Sequence, residues 1–446
     1  MHIKIGDQIE LIIEGLGVSG EGVGDYQGLK IFVDGALPQE WVLVEILVCK
    51  KNYAIAKLLN IIKTSIHRAK PICPIFEKCG GCQIMHLSYP AQLEIKKKKI
   101  LDAFQRIAKS PILENIEVVP SPKIYNYRNK IQLPAAPSNQ GVCLGLYAKK
   151  SHRIIPTNKC YIHTDLGELV FEKITELLQT SSIEPYQELH KTGELRHVLI
   201  RTAVNSKQVL VVLITAKQPS EKIRRLAKLI HQIPHVLGVV HHKNAREDNV
   251  VFDEQFTLLE GQPRIQENLH EMVFHVSAAS FFQVNTEQAL QLYQYAIDCA
   301  GIDSSTTVLD AYCGVGTLSL MIAKKASKVI GVECVEQAIM DAKENAKNNS
   351  ISNVEFFCSK TEAFLGSIRD IDTVFVNPPR KGCELSVLEQ LHRLGPKTVI
   401  YISCDPATLA RDVKILEEFG FKKDKVKGFD MFPQTMHVET VVCLKR

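Results

Sequence analysis

Apolar positions divide the chain into stretches of different period. Across 1–60, short alternating runs separated by glycine turns (DQIELIIEGLG, GEGVGDY, LKIFVDGA, WVLVEILVCKK, YAIAKLLNI) predict the strands of a small, OB-like antiparallel barrel. Residues 91–109, AQLEIKKKKILDAFQRIAK, change to helical spacing. Leu93, Ile100, Leu101 and Phe104 fall on one side, and Lys96 to Lys99 are expected in solvent. Residues 120–260 mix strand and helix patterns, an α+β arrangement. From about 261 the two alternate: TTVLDAY, LSLMIAKKA, KVIGVEC, VEQAIMDAKENAKNN, VEFFCS, DTVFVNPP, LSVLEQLHRL, KTVIYISC, PATLARDVKILEEFG, VETVVCLK. That is the order of a Rossmann-like, doubly wound sheet. The expectation is a multidomain α/β chain divided at 1–60, 61–260 and 261–446, with ligands at the carboxyl ends of the last sheet's strands.

Composition narrows the class. At 446 residues, with 45% hydrophobic and 23% charged positions, the chain matches soluble globular proteins of more than one domain. No apolar run approaches the roughly 20 residues that cross a bilayer, and the first residues carry no signal-peptide pattern. A cytoplasmic protein without a membrane partner is expected. The 13 cysteines are scattered and odd in number, which argues against a disulfide framework. Charge is uneven. Residues 1–60 carry 5 Lys/Arg against 8 Asp/Glu, residues 61–200 carry 20 against 12, and the remainder balances. The middle segment is where RNA would be attracted first.

Chemistry-bearing residues gather at the expected ligand edge. VLDAYCGVGTLSL (308–320) reads as strand, glycine turn and helix start, and Glu333 ends the following strand. A glycine turn followed by an acid for the ribose hydroxyls suits an adenosine cofactor without a pyrophosphate, such as S-adenosylmethionine. Asn377, in VFVNPPRKG, ends the fourth strand. Asn-Pro-Pro also occurs in nitrogen methyltransferases, but there an aromatic residue normally follows, and here the next residue is Arg380.

Cys404 ends the fifth strand in YISCDPATLARD, ahead of a proline-started helix whose N-terminus is expected to lower the thiol pKa. Carbon 5 of uracil is too weak a nucleophile to take a sulfonium methyl. A thiolate added at carbon 6 makes it an enolate carbon, and a base must then remove the carbon-5 proton. Glu439, at the start of the last strand in MHVETVVCLKR, faces Cys404 if that strand runs antiparallel.

These residues resemble the iron–sulfur, TRAM-domain RNA (uracil-5-)-methyltransferases, which make 5-methyluridine in ribosomal RNA. The resemblance spans nearly the whole chain. It implies that Cys404 is the nucleophile and Glu439 the base. It implies that Gln283 (in SFFQVNTEQA), Tyr312 and Glu333 bind S-adenosylmethionine, and that 1–60 is a TRAM domain. It also implies that helix 91–109 packs with the catalytic domain. Members usually carry Asp-Pro-Pro where this chain has Asn377, and an acid near Lys360, where Glu362 is two residues on.

CPIFEKCGGC supplies Cys73, Cys79 and Cys82, and TNKCYIH supplies Cys160. Spacing fits either zinc or a four-iron cluster; the resemblance implies a structural [4Fe-4S] cluster. YNYRNKIQL sets Arg128 and Lys130 on one side of an expected strand, placed to hold phosphates. The leading expectation is a monomeric enzyme methylating carbon 5 of a uridine in 23S ribosomal RNA. Transfer RNA as substrate, a nitrogen methyltransferase and a non-catalytic RNA-binding factor are the competing readings.

Overall fold

The computed structural model describes residues 3–112, 115–139, 141–246 and 256–446. Five strands, Gln8–Leu16, Gly22–Tyr26, Leu29–Val33, Trp41–Cys49 and Tyr53–Lys63, close into a barrel. Period-two alternation turns Ile9, Leu11, Ile13, Val42, Val44 and Ile46 inward. The barrel is not wholly antiparallel, as expected from sequence. Leu29–Val33 pairs parallel to Tyr53–Lys63, because closing an odd number of strands requires one parallel seam. The fully buried Glu40 accepts two bonds from Arg68 and one from the Leu37 amide, which fixes the chain leaving the barrel.

The middle of the chain forms a mixed seven-stranded sheet. Its order is Phe256–Gly261, Val236–Lys243, Gln208–Thr215, Leu195–Ala203, Lys130–Ser138, Gly141–Tyr147 and Ile154–Pro156. Helices Asp165–Gln179 and Glu221–His231 cover one face through Val170, Phe171, Ile174, Ile223 and Ile230. The hairpin Arg264–Leu269/Met272–Ser277 covers part of the other through Ile265 and Val276, against Leu199, Leu210 and Val212.

The last third forms an eight-stranded sheet, ordered Val354–Cys358, Lys328–Glu333, Thr307–Ala311, Thr373–Val376, Thr398–Ser403, Glu439–Lys445, Lys422–Phe429 and Val118–Val119. Five parallel strands precede the antiparallel Glu439–Lys445. Val118–Val119 comes from far upstream and pairs parallel to Lys422–Phe429. Helix Tyr89–Ala103 joins it, placing Ile100, Ala103 and Phe104 in the core with Val442, Leu409 and Val413. The helix packs with the last sheet, as the resemblance implied, and the division at 61 and 261 is interrupted over 89–119, where Val118–Val119 also joins that sheet.

The lysine run on that helix is only in part a wet face: Lys98 is exposed, but Lys96 is buried. Gln92, Lys96, Ile100 and Ala103 form its buried stripe. Lys96 Nζ meets Asp430 Oδ1 at 2.5 Å with both side chains fully buried, and donates to the Phe432 carbonyl at 3.0 Å. Lys99 Nζ donates to the Met436 carbonyl at 3.0 Å. These acceptors lie more than 300 positions downstream, so local spacing gave no sign of them.

Removing one partner of such a pair strands a charge in the core. Lys96→Met is expected to cost about 3–5 kcal/mol in chemical denaturation, and adding Asp430→Leu to recover most of it. A single variant as stable as the parent would show that the pair carries no such weight.

Candidate active site

At the carboxyl edge of the eight-stranded sheet lies a cavity of about 870 Å³. Gln283, Tyr312, Glu333, Asn377, Cys404 and Glu439 all line it, together with Arg128, Lys130, Lys360, Glu362, Arg380 and Phe432. The six residues singled out from sequence thus meet in one place.

The turn after Thr307–Ala311 is built for close approach. Tyr312 adopts φ 70°, an uncommon conformation for a side-chain-bearing residue, and its amide bonds to the Val332 carbonyl at 2.9 Å. Gly316 has φ 80°, and a Cβ there would lie 2.8 Å from the Phe356 ring. At Gly314, with φ 56°, a Cβ would make only ordinary contact, 3.7 Å from the Phe281 carbonyl oxygen, so the backbone angle rather than crowding favours glycine. Glu333 accepts from the amides of Cys334 and Val335 at 2.7 and 3.1 Å and from that of Gly314 at 3.3 Å. These bonds hold its carboxylate at the cavity wall. Behind it, buried Asp310 bonds to Ser319 Oγ at 2.5 Å; burial pushes its pKa up to about 7 despite that bond. An open backbone, a fixed carboxylate and the amides of Asn377 and Gln283 make a donor and acceptor set that fits an adenosine-type cofactor.

Across the cavity, Glu439–Lys445 runs antiparallel to Thr398–Ser403, with Thr440 opposite Ser403. The ladder ends there; Cys404, just beyond it, lines the same cavity as Glu439 and feels its charge. Glu439 is buried, which pushes its carboxyl up to about 7 against the pull of Arg380. The thiol does not behave as the sequence reading expected. Burial raises Cys404 to about 11, Glu439 adds to the rise, and Arg380 opposes it. The following helix does begin at Pro406, but Asp405 caps it, accepting from the Ala407 and Thr408 amides at 2.8 and 3.2 Å. Those amides are therefore taken up by a carboxylate rather than by the sulfur.

Two residues that shape this edge escaped the sequence reading. Arg380 is the cation acting on both Cys404 and Glu439. Its loop is clamped by Asp412, whose Oδ2 accepts from the Tyr401 hydroxyl at 2.6 Å and the Cys383 amide at 2.8 Å. Arg411 donates to the other oxygen at 2.7 Å and to the Lys381 carbonyl at 3.0 Å. The available signal was an aspartate on the apolar side of its helix, beside Leu409, Val413 and Leu416.

Cys73, Cys79, Cys82 and Cys160 line a second cavity, of about 280 Å³. Burial raises all four thiols, Cys160 to about 12, and the mutual proximity of Cys82, Cys160, Cys79 and Cys73 adds to the rise at Cys82. Among the described residues no group of three or more His, Cys, Asp or Glu is arranged to hold a metal ion. Arg128 lines both cavities.

Comparison with known proteins places this edge. Residues 88–446 match the model of the tRNA (uracil-5-)-methyltransferase family, and residues 3–59 match the TRAM domain. The chain belongs to this family. An uncharacterized RNA methyltransferase of Clostridium tetani is 40% identical over 447 residues, covering 99% of this chain and 97% of its own. One from Listeria monocytogenes is 40% identical over 451 residues, covering 99% and 98%. Among solved structures, the Pyrococcus abyssi tRNA (uracil-54, C5)-methyltransferase in complex with S-adenosyl-L-homocysteine superposes with a TM-score of 0.78. It shares 28% identity and covers 98% of this chain and 100% of its own. The protein is thus an S-adenosylmethionine-dependent RNA (uracil-5-)-methyltransferase with an N-terminal TRAM domain. No helix among the described residues is long and apolar enough to cross a membrane.

The buried Glu439 gives the methyltransferase a measurable pH signature. Its folded pKa, about 7, lies above the ordinary 4.5. Its contribution to stability is therefore complete below about pH 4.5 and lost as pH rises through 7. Glu439→Gln is expected to match the parent's melting temperature at pH 5 and exceed it at pH 8.5. A variant less stable than the parent at pH 8.5 would contradict this ionisation.

Proposed function

We propose that this methyltransferase modifies carbon 5 of a uridine in 23S ribosomal RNA, acting as a cytoplasmic monomer. The supporting observation is that Cys404 and Glu439 line one cavity, with Gln283, Tyr312, Glu333 and Asn377, and that the Glu439 charge acts on the Cys404 thiol. S-adenosylmethionine, when bound, supplies an electrophilic methyl group carried on a positive sulfonium. Glu333 takes the ribose hydroxyls, Tyr312 and Gln283 border the donor, and Asn377 orients donor or base through an uncharged amide. The target uridine leaves its stack to enter the cavity. Cys404 gives its proton to solvent water and adds to carbon 6, and Arg380 favours both the thiolate and the enolate that forms. Once carbon 5 carries the methyl group, Glu439 removes its remaining proton. The electron pair released re-forms the 5,6 double bond and expels Cys404.

In this scheme Cys404→Ala abolishes turnover. Glu439→Gln still adds and methylates but cannot release, so a protein–RNA adduct carrying the transferred methyl accumulates on denaturing gels. Nucleoside analysis of the parent's product yields 5-methyluridine; a methyl on nitrogen would exclude the scheme. Similarity to the Pyrococcus transfer-RNA enzyme over the whole chain favours a second substrate reading. Mapping methylated fragments from 23S ribosomal RNA and transfer RNA decides between the two.

We also propose that Cys73, Cys79, Cys82 and Cys160 hold a [4Fe-4S] cluster with a structural role. Four desolvated thiols around one cavity suit a multinuclear group. Spacing leaves a zinc ion as the alternative occupant. Protein purified anaerobically is expected to be brown, with iron in the ratio of a four-iron cluster. Colourless, zinc-loaded protein would overturn this.

A further inference from the structure

A third cavity, of about 340 Å³, lies on the central sheet outside the catalytic edge. Its walls include Tyr147, His152, Tyr186, Arg196 and His197. Tyr147 stands edge-on to His152, with ring centroids 5.7 Å apart, and bonds His197 Nε2 through its hydroxyl at 3.1 Å. The Arg196 guanidinium lies 4.8 Å from the Tyr186 ring centroid. Nδ1 of the buried His197 has no hydrogen-bond partner among the described residues. Arg196 is itself held by the Asn244 and Arg246 carbonyls and by Glu188, so it fixes the Tyr186 ring, and the aromatic faces with the unpartnered His197 nitrogen are what an unpaired nucleobase can use.

Its placement connects it to the catalytic cavity. The strand Lys130–Ser138 borders all three cavities in turn: Lys130 the catalytic one, Gln132 the four-thiol one, and Pro134 to Pro137 the aromatic one. Opposite it, Arg201 pairs with Lys130 and His197 with Pro134. Even spacing puts all four on one face, about 14 Å from end to end at the antiparallel rise per residue. The segment 61–200 also carries the excess of Lys and Arg, 20 against 12 acids.

We infer that the Tyr147/Tyr186 cavity binds a second, unpaired nucleobase of the RNA strand whose uridine enters the catalytic cavity. This rests on the RNA methylation proposed above. Held at two points along one strand, the RNA is fixed in register as well as bound.

The test uses the full-length enzyme and a short oligouridylate, since stacking tolerates any base. Tyr147→Ala and Tyr186→Ala are each expected to weaken binding in fluorescence anisotropy about ten-fold. Affinity for S-adenosylhomocysteine by calorimetry stays unchanged, and Tyr147→Phe and Tyr186→Phe keep near-parental RNA affinity. With 4-thiouridine in the oligonucleotide, photo-cross-links map to peptides holding 147–152 or 186–190. Alanine variants that keep both cofactor and RNA affinity would overturn the inference, as would cross-links confined to the catalytic peptides; a pocket serving a protein partner gives the first result. These readouts need no turnover. Failure of the carbon-5 chemistry registers separately, as absence of 5-methyluridine from the parent's product.

Discussion

The placement of Glu439 depends on how the loop 430–438 is tied down, because that loop delivers it to the cavity it shares with Cys404. The ties are polar and buried. Lys96 holds Asp430; Gln92 and Gln434 exchange two bonds, at 3.0 Å each. The Tyr127 hydroxyl takes the Pro433 carbonyl, and the amides of Gln83 and Ile84 both reach the Gln434 carbonyl. Three separate upstream segments, one of them adjoining Cys82, therefore converge on a single loop. Hydrophobic contact alone would have left its register loosely defined; directional bonds in a low dielectric do not.

The same arrangement sets the electrostatics. Cys404 and Glu439 are each raised by burial, and Arg380 favours the charged form of both. A thiol and a carboxyl so placed favour their protonated forms together, which protects the sulfur from indiscriminate reaction. Asp412, through the Cys383 amide, keeps the loop bearing Arg380 in position. The charge that favours the ionised thiol at this edge comes from Arg380 and Lys99 rather than from a helix end.

Much of this was legible in the chain. Alternation within the barrel and the strand–helix rhythm of the last third reflect local periodicity, and both gave the expected elements, apart from the barrel's parallel seam and the strand Lys422–Phe429. Glu333, Asn377 and Cys404 were found because each ends a buried run, where a polar residue has nowhere to go but the ligand edge; Tyr312 and Gln283 came only from the family resemblance. What stayed hidden was non-local. Nothing in the run at 96–99 announces Asp430, and a two-residue strand at 118–119 has no period at all. Cys404 was misjudged electrostatically because the cap that occupies the helix amides is its own neighbour, Asp405, whose side-chain orientation cannot be read from sequence.

The insertion of 89–119 ahead of the central sheet has a consequence for how the molecule is made. A helix carrying a lysine destined for the interior leaves the ribosome when its counter-ion, 334 positions later, has not yet been synthesised. Until then the apolar stripe containing Ile100 and Phe104 has no sheet to cover. Closing so long a chain segment is entropically demanding and slow, so biogenesis has a prolonged interval in which the nascent polypeptide depends on being shielded from aggregation.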